Sequence, residues 1–457
     1  MKQAVQKQKL DMLNGPLWNK IPQFALPVAA TAILEQLFNA SDIAVVGNFS
    51  GAASTIAVAA VGVNSFVISL VVNFFIGIAL GANVVIANAI GREDTDAVHR
   101  AVHTAVVVAV LGGALVTVLG ELVAGPALRA LNVPAEVLPY ALLYLRIYLL
   151  GVPVILLYNF EAAIFRSVGD TRVPLQTLAF SGVLNVLLNL FFVIVLHMTV
   201  NGVATATVLS NAISSVLLFV RLRRSDKAIH LEWTALRIDR RSLQKILQIG
   251  IPAGIQSAVF SISNIVIQSA INSLGTVVMA ASSAAFNIEV VAYDVLNSFS
   301  QACTTFVGQN YGAGKLDRCR KTLVLCLLED ALASGSAILL VLGSGHFLLS
   351  LFNRDPEVIA LGYTRLMTVF TAYFFSMLYE VMSGYLRGFG ISLVPALLTM
   401  LGVCGVRILW IATAFPRSRT FQTILLAYPL SLAATAVLIL LALLIYHPSR
   451  RTKGETV

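Results

Sequence analysis

The sequence predicts an all-α polytopic membrane protein with 12 transmembrane helices arranged as two pseudo-symmetric six-helix lobes. Three observations carry that expectation. Apolar residues make up 58% of the 457-residue chain and charged residues only 12%, against roughly 25% charged in an average soluble domain. The apolar residues fall into twelve long stretches, where a hydrocarbon core of about 30 Å needs roughly 20 residues per helix. Finally, landmarks of the first half recur in the second: Arg166, Gly169 and Pro174 have the spacing of Arg387, Gly390 and Pro395, Tyr158 matches Tyr379, and Gly91 matches Gly312. Pro27 and Pro252 open the first helix of each half, once a four-residue shift is allowed. A six-helix unit used twice is a common way to build a transport pathway.

In order, the spans are expected near Ile21–Val46, Ile56–Ile90, Ala101–Val123, Tyr140–Ile164, Val173–Leu196 and Val203–Val220, then Ile246–Leu274, Val277–Val307, Leu323–Leu351, Ala360–Leu386, Ile391–Phe415 and Ile424–Tyr446. Barrel strands are excluded, since they would be about ten residues long with strict alternation. The second and eighth stretches exceed one crossing and should tilt or protrude. The organisation is then an N-terminal segment 1–20, an N-lobe 21–222, a linker 223–242, a C-lobe 243–446 and a tail 447–457.

Taking the N-terminus and every second loop as one side places 24 of the 31 Lys and Arg there. By the positive-inside rule that side is cytoplasmic, with both termini in the cytoplasm of a cell whose inner membrane holds the chain. The net charge of +9 is then mostly topogenic and no nucleic-acid partner is expected; the lipid bilayer is the expected partner and a monomer the expected state. The segment Met1–Lys20 runs into a span too long for a signal-peptide core and is expected to be retained. The basic linker after Arg221, with Ile229, Leu231, Trp233, Leu236 and Ile238 interspersed, suits a topology-holding connector better than an inner-leaflet surface helix.

Several chemistries drop out. Cys303, Cys319, Cys326 and Cys404 include no C-x-x-C pair, and the six histidines accompany no Cys or carboxylate cluster, so no structural metal is expected. The string VGQNYGAGK ending at Lys315 has the wrong spacing for a phosphate loop and follows a membrane helix. With no ATP site and no cofactor, uphill movement would draw on an ion gradient.

Embedded ionisable groups are the candidates, because Asp at a helix centre costs about 2.5–3.5 kcal/mol even on the mildest insertion scale. Asp42 sits late in the first span, with Glu35 two turns back on the same face and Gln36 and Asn39 beside them. Asn185 and Asn189 lie one turn apart in the fifth span and Thr207 opens the sixth. Their oxygens suit a hard cation, and serve equally as interhelical hydrogen-bond partners. In the second half Glu289, Asp294 and Tyr293 punctuate the eighth span and Glu380 the tenth; Glu161, Glu329 and Asp330 are further embedded acids. Arg146, Arg365 and Arg407 are available to neutralise some of them.

Taken together, ASDIAVVGNFSG, RSVGDTRVP at Arg166, LRGFGISLVP at Leu386, NVLLNLFFV from Asn185 and TTFVGQNYGAGK from Thr304 resemble the multidrug and toxic compound extrusion (MATE) transporters, over almost the entire chain and closer to the DinF-like than the NorM-like branch. The resemblance implies a V-shaped pair of lobes that exchanges a small cationic, amphiphilic substrate for Na+ or H+ by alternating access, and no enzymatic activity. It places the cation-coupling site on Asp42, Asn185, Asn189 and Thr207, and a bending proline on Pro27. An acid common in DinF-like members is the amide Asn189 here. The acids that NorM-like members carry in the C-lobe correspond to Phe260 and Ser376; it is their place inside apolar spans, not a motif match, that makes Glu289, Asp294 and Glu380, with Glu35, the expected substrate-binding residues. A lipid-linked oligosaccharide flippase would need a strongly cationic cavity. A membrane-embedded enzyme would need a cluster at a span end, and a scaffold gives no reason for buried acids in both halves.

Overall fold

The computed structural model describes residues 10–448 apart from 52–53, 132 and 226–227, and the side chain of Phe66 is left aside. Residues 1–9 of the expected N-terminal segment and 449–457 of the expected tail lie outside the described residues. Twelve helices are long and apolar enough to cross a membrane, and no strand occurs among the described residues. They are α1 (Lys20–Phe49), α2 (Ser54–Gly91), α3 (Thr95–Ala130), α4 (Leu138–Ser167), α5 (Arg172–Val195), α6 (Val200–Arg223), α7 (Arg240–Asn272), α8 (Thr276–Gly312), α9 (Leu316–Ser350), α10 (Pro356–Gly388), α11 (Leu393–Thr413) and α12 (Phe421–Tyr446). The second and eighth reach 38 and 37 residues, as their apolar lengths predicted. The basic linker forms no surface helix among the described residues. It has one 3-10 turn, Trp233–Ala235, with Ile229 and Leu231 buried and Trp233 exposed. The linker is fastened to α3 by backbone N–H groups, Glu232 donating to His103 Nε2 and Asp239 to Thr104 Oγ1, each at 3.0 Å.

The chain forms two compact units. One comprises Ala30–Gly250 and the other Asp11–Ala29 with the chain from Ile251 onward. α1 and α7 therefore each pass from one unit to the other, and both do so within three residues of their proline, Pro27 or Pro252. In the first unit α4 packs against α2, α3 and α6; in the second its repeat mate α10 packs against α8, α9 and α12. Each unit has its own apolar core. α3 and α9 are the least buried spans of their units, with 17% of the residues of the most apolar stretch buried in both. Their exposed Leu122, Leu332, Leu339 and Leu340 suit contact with lipid.

The paired R-x-x-G-x-x-x-x-P strings build the same helix stop. Gly169 and Gly390 stand at φ +82° and +84°, which costs an L side chain about 1–2 kcal/mol. The N–H of Asp170 donates to Phe165 O and that of Gly169 to Arg166 O; Ile391 and Gly390 repeat both bonds to Leu386 O and Arg387 O. These are the two bonds of a Schellman cap, and the proline then falls in the first turn of the next helix, where no N–H is needed. The supposed phosphate-loop string makes the same cap at the end of α8: Gly314 has φ +72°, and Lys315 N–H donates to Asn310 O. Lys315 Nζ and the Arg318 guanidinium then clasp the carbonyls of Met12, Leu13, Asn14 and Gly15, ahead of α1.

Gly169→Ala and Gly390→Ala should each lower stability by about 1–2 kcal/mol, read as a fall in melting temperature of the purified protein. At the start of α7, the N–H and hydroxyl of Ser242 donate to Asp239, holding its carboxyl below the usual range. A group depressed on folding contributes stability above its unfolded pKa and loses it as pH falls through the folded value. The small difference in melting temperature between wild type and Asp239→Ala should therefore be full at neutral pH and vanish in acid.

Candidate functional site

Asp42 lies in the C-terminal part of α1 and reaches α5 and α6. Its side chain is 5% exposed. Asn189 Nδ2 donates to Asp42 Oδ1 at 2.5 Å, and Thr207 Oγ1 lies 2.9 Å from Oδ2. Asn189 Nδ2 also reaches Asn185 Oδ1 at 3.2 Å, and Asn185 Nδ2 reaches Thr207 Oγ1 at 3.5 Å. The four residues that the family resemblance singles out thus meet in one polar cluster. No Lys, Arg or His stands within salt-bridge distance of Asp42 among the described residues. Asn189 is fully buried and its Oδ1 has no hydrogen-bond partner. A carboxylate, two amide oxygens and a hydroxyl are hard donors of the kind that hold an alkali cation, and the carboxylate alone can take a proton.

Part of α5 follows from this demand. After Asn189 the helix widens into a π turn, Phe191–Val195, a distortion that often accompanies functional sites. Asp42, Asn185 and Thr207 line a cavity of about 160 Å³ that Glu35, Asn39, Tyr148, Tyr158, Asn159, Ser181, Ser210 and Asn211 also reach. Its lining holds two acids, Glu35 and Asp42, and no Lys or Arg. Tyr148, Asn159 and Asn211 were not singled out from sequence. Asn211 stands one turn after Thr207, and that spacing was the available signal.

The other embedded acids are not gathered into one place. Glu289 is held by Arg365 in a two-pronged pair, Nε to Oε1 at 2.7 Å and Nη2 to Oε2 at 2.8 Å, with both side chains buried. Tyr293 donates to Glu380 Oε1 at 3.0 Å, and not to Glu289 one turn before it. Asp294 is half-buried, five residues beyond Glu289. Asp330 accepts from Ser334 at 2.5 Å and Glu161 from Ser215 at 3.0 Å. Arg146 pairs with Glu121 in a partly exposed contact. No group of three or more His, Cys, Asp or Glu suited to a metal ion occurs among the described residues.

The repeat, the twelve helices and the buried acid now stand beside a direct comparison. The MatE family model matches the chain twice, over residues 27–191 and 252–412. The chain belongs to the MATE family. Both matches begin at the prolines of α1 and α7. Among curated relatives, the probable multidrug resistance protein YoeA of Bacillus subtilis is 26% identical over 86% of each chain. The probable multidrug resistance protein NorM of Thermotoga maritima is 27% identical over 88% of this chain and 85% of its own. A solved structure of a multidrug resistance MATE family transporter in its outward-facing conformation superposes with a TM-score of 0.89, covering 97% of this chain and 99% of that one at 19% identity, which shows the fold. Neither the DinF-like nor the NorM-like branch is singled out by these matches.

Breaking a buried ion pair from one side leaves an uncompensated charge and costs about 3–5 kcal/mol. Glu289→Gln and Arg365→Met should each lower the unfolding midpoint sharply, while the double variant recovers most of the loss.

Proposed function

We propose that this MATE-family protein is a secondary active antiporter that exports organic cations in exchange for Na+ or H+ by alternating access. The observation that carries the reading is a buried carboxylate, Asp42, without a fixed cationic partner, on the wall of a cavity whose only charged lining residues are acids. Leaving it ionised out of water is costly. A proton, a sodium ion or a cationic substrate relieves that cost, and two of them cannot do so at once. Arrival of the coupling ion therefore expels the substrate. The relatives named as multidrug resistance proteins support an efflux role. A flippase for phosphate-bearing lipids is disfavoured by the acidic lining.

In this reading Asn185, Asn189 and Thr207 orient the carboxylate and supply oxygens to a sodium ion, or stabilise the protonated acid. Glu35 lies on the same cavity wall and attracts cationic substrate. Glu289, fixed by Arg365, has a structural part, and Glu380, which accepts from Tyr293, and the half-buried Asp294 are the acids of the second unit read as contacting substrate. Moving one charge through 100 mV is worth about 2.3 kcal/mol, but a one-for-one exchange of monovalent cations cancels that contribution and leaves the ion's concentration gradient as the drive. Pro27 removes a backbone donor from α1 and allows it to bend, taking Asp42 with it. The protein acts as a monomer in the inner membrane, with both ends of the chain in the cytoplasm.

Asp42→Asn should abolish gradient-driven dye-cation efflux in reconstituted vesicles while its melting curve stays within a few degrees of wild type. Imposing sodium and pH gradients separately identifies the coupling ion. Undiminished transport by Asp42→Asn would sink the proposal.

A further inference from the structure

α6 delivers an exposed apolar stripe to a row of arginines. Leu209, Val216, Leu217 and Val220 are all exposed on this span, and their spacing holds them to one side of the helix. Arg223 and Arg224, three and four residues beyond Val220, continue that side, and Arg221, four beyond Leu217, stands at its edge. All three arginines are exposed. No carboxylate lies within salt-bridge distance of them among the described residues.

The linker folds back over this end of the helix. His230 Nδ1–H donates to Ser225 O at 3.1 Å, and the ring of Trp233 rests against that of Phe219 with centroids 4.9 Å apart. Trp233 nevertheless stays 60% exposed. Phe219 precedes Arg223 by one turn, so the indole stands at the depth of the three arginines instead of out in bulk water. Glu232, the acid next to it, has its carboxylate 3.9 Å from His230 Nε2 and not on a guanidinium. Arginines kept only to fix topology would need neither the exposed indole nor the stripe. The headgroup layer of a bilayer, where phosphate meets hydrocarbon, suits all three together.

We propose that Arg221, Arg223, Arg224 and Trp233 form a docking site for an anionic phospholipid in the leaflet that meets the C-terminal end of α6. The guanidinium groups offer paired N–H donors to the lipid phosphate, the indole packs along the glycerol region, and the stripe from Val220 back to Leu209 accepts an acyl chain. Charge complementarity selects a headgroup of net negative charge over a zwitterionic one, whose ammonium the same arginines repel. The stripe selects a lipid over free phosphate. The site rests on the chain's lying in a bilayer and not on the antiport reading.

The test uses the full chain in lipid nanodiscs, in a Trp18→Phe/Trp410→Phe background that leaves Trp233 as the reporter. Phosphatidylcholine discs receive equal fractions of either phosphatidylglycerol or phosphatidylcholine with dibrominated acyl chains, which quench indole on contact. The phosphatidylglycerol should quench more, with a relative binding constant about threefold or more in its favour, and that preference should shrink in concentrated potassium chloride. Arg221→Gln/Arg223→Gln/Arg224→Gln should bring the ratio to about one, while Arg221→Lys/Arg223→Lys/Arg224→Lys keeps part of the preference. These arginines also hold topology, so should the triple Gln variant fail to insert, the salt titration of the reporter protein carries the same information. Equal quenching by the two lipids, quenching by neither, or a preference that survives high salt or the triple Gln substitution in an inserted protein overturns the proposal.

Discussion

An ionised carboxylate surrounded by hydrocarbon has to be answered by something, and at Asp42 the chain answers it with an amide and a hydroxyl instead of a cation. Much else in the first unit follows from that choice. α5 must present two asparagines one turn apart, α6 must begin close enough for Thr207 to reach across, and α1 must carry the acid on the face turned toward both. Neutral donors lower the cost of the charge without cancelling it, so the site keeps an unmet demand for positive charge. Arg365 shows the opposite solution around Glu289, where two prongs satisfy the acid outright and leave it nothing further to bind.

The architecture was readable because bilayer physics writes it in coarse strokes: span length, the paired glycine stops and the repeated prolines all reappear in the helices. The grouping around Asp42 came through the family resemblance, since residue type alone left Asn185, Asn189 and Thr207 equally open as interhelical hydrogen-bond partners. What escaped were the pairings. Sequence spacing set Tyr293 beside Glu289, yet its hydroxyl reaches Glu380 on another helix. Arg146 turned to Glu121 instead of to a deeper acid. Such choices depend on which helices neighbour one another and on their rotation, which periodicity within one span does not encode. The linker's charges suggested a connector in preference to a surface helix, but not that Ile229 and Leu231 would be buried.

Duplication gave both halves the same caps and the same packing around α4 and α10, while their polar interiors diverged. The π turns differ as well: one stands at the end of α5 and the other in the middle of α11, while the helix that follows each opens at the same relative position, Val200 and Phe421. Backbone symmetry and chemical asymmetry are therefore compatible at the level of single residues.

α1 and α7 are each one continuous rod shared by two compact bodies, with the handover beside a proline. A rod shared in this way is a mechanical linkage, because displacement of either body loads it at the residue where its own ladder of hydrogen bonds is already interrupted. The clasp of Lys315 and Arg318 on the carbonyls of residues 12–15 moors the approach to that linkage, so the rod of α1 starts from a fixed footing on its own compact body.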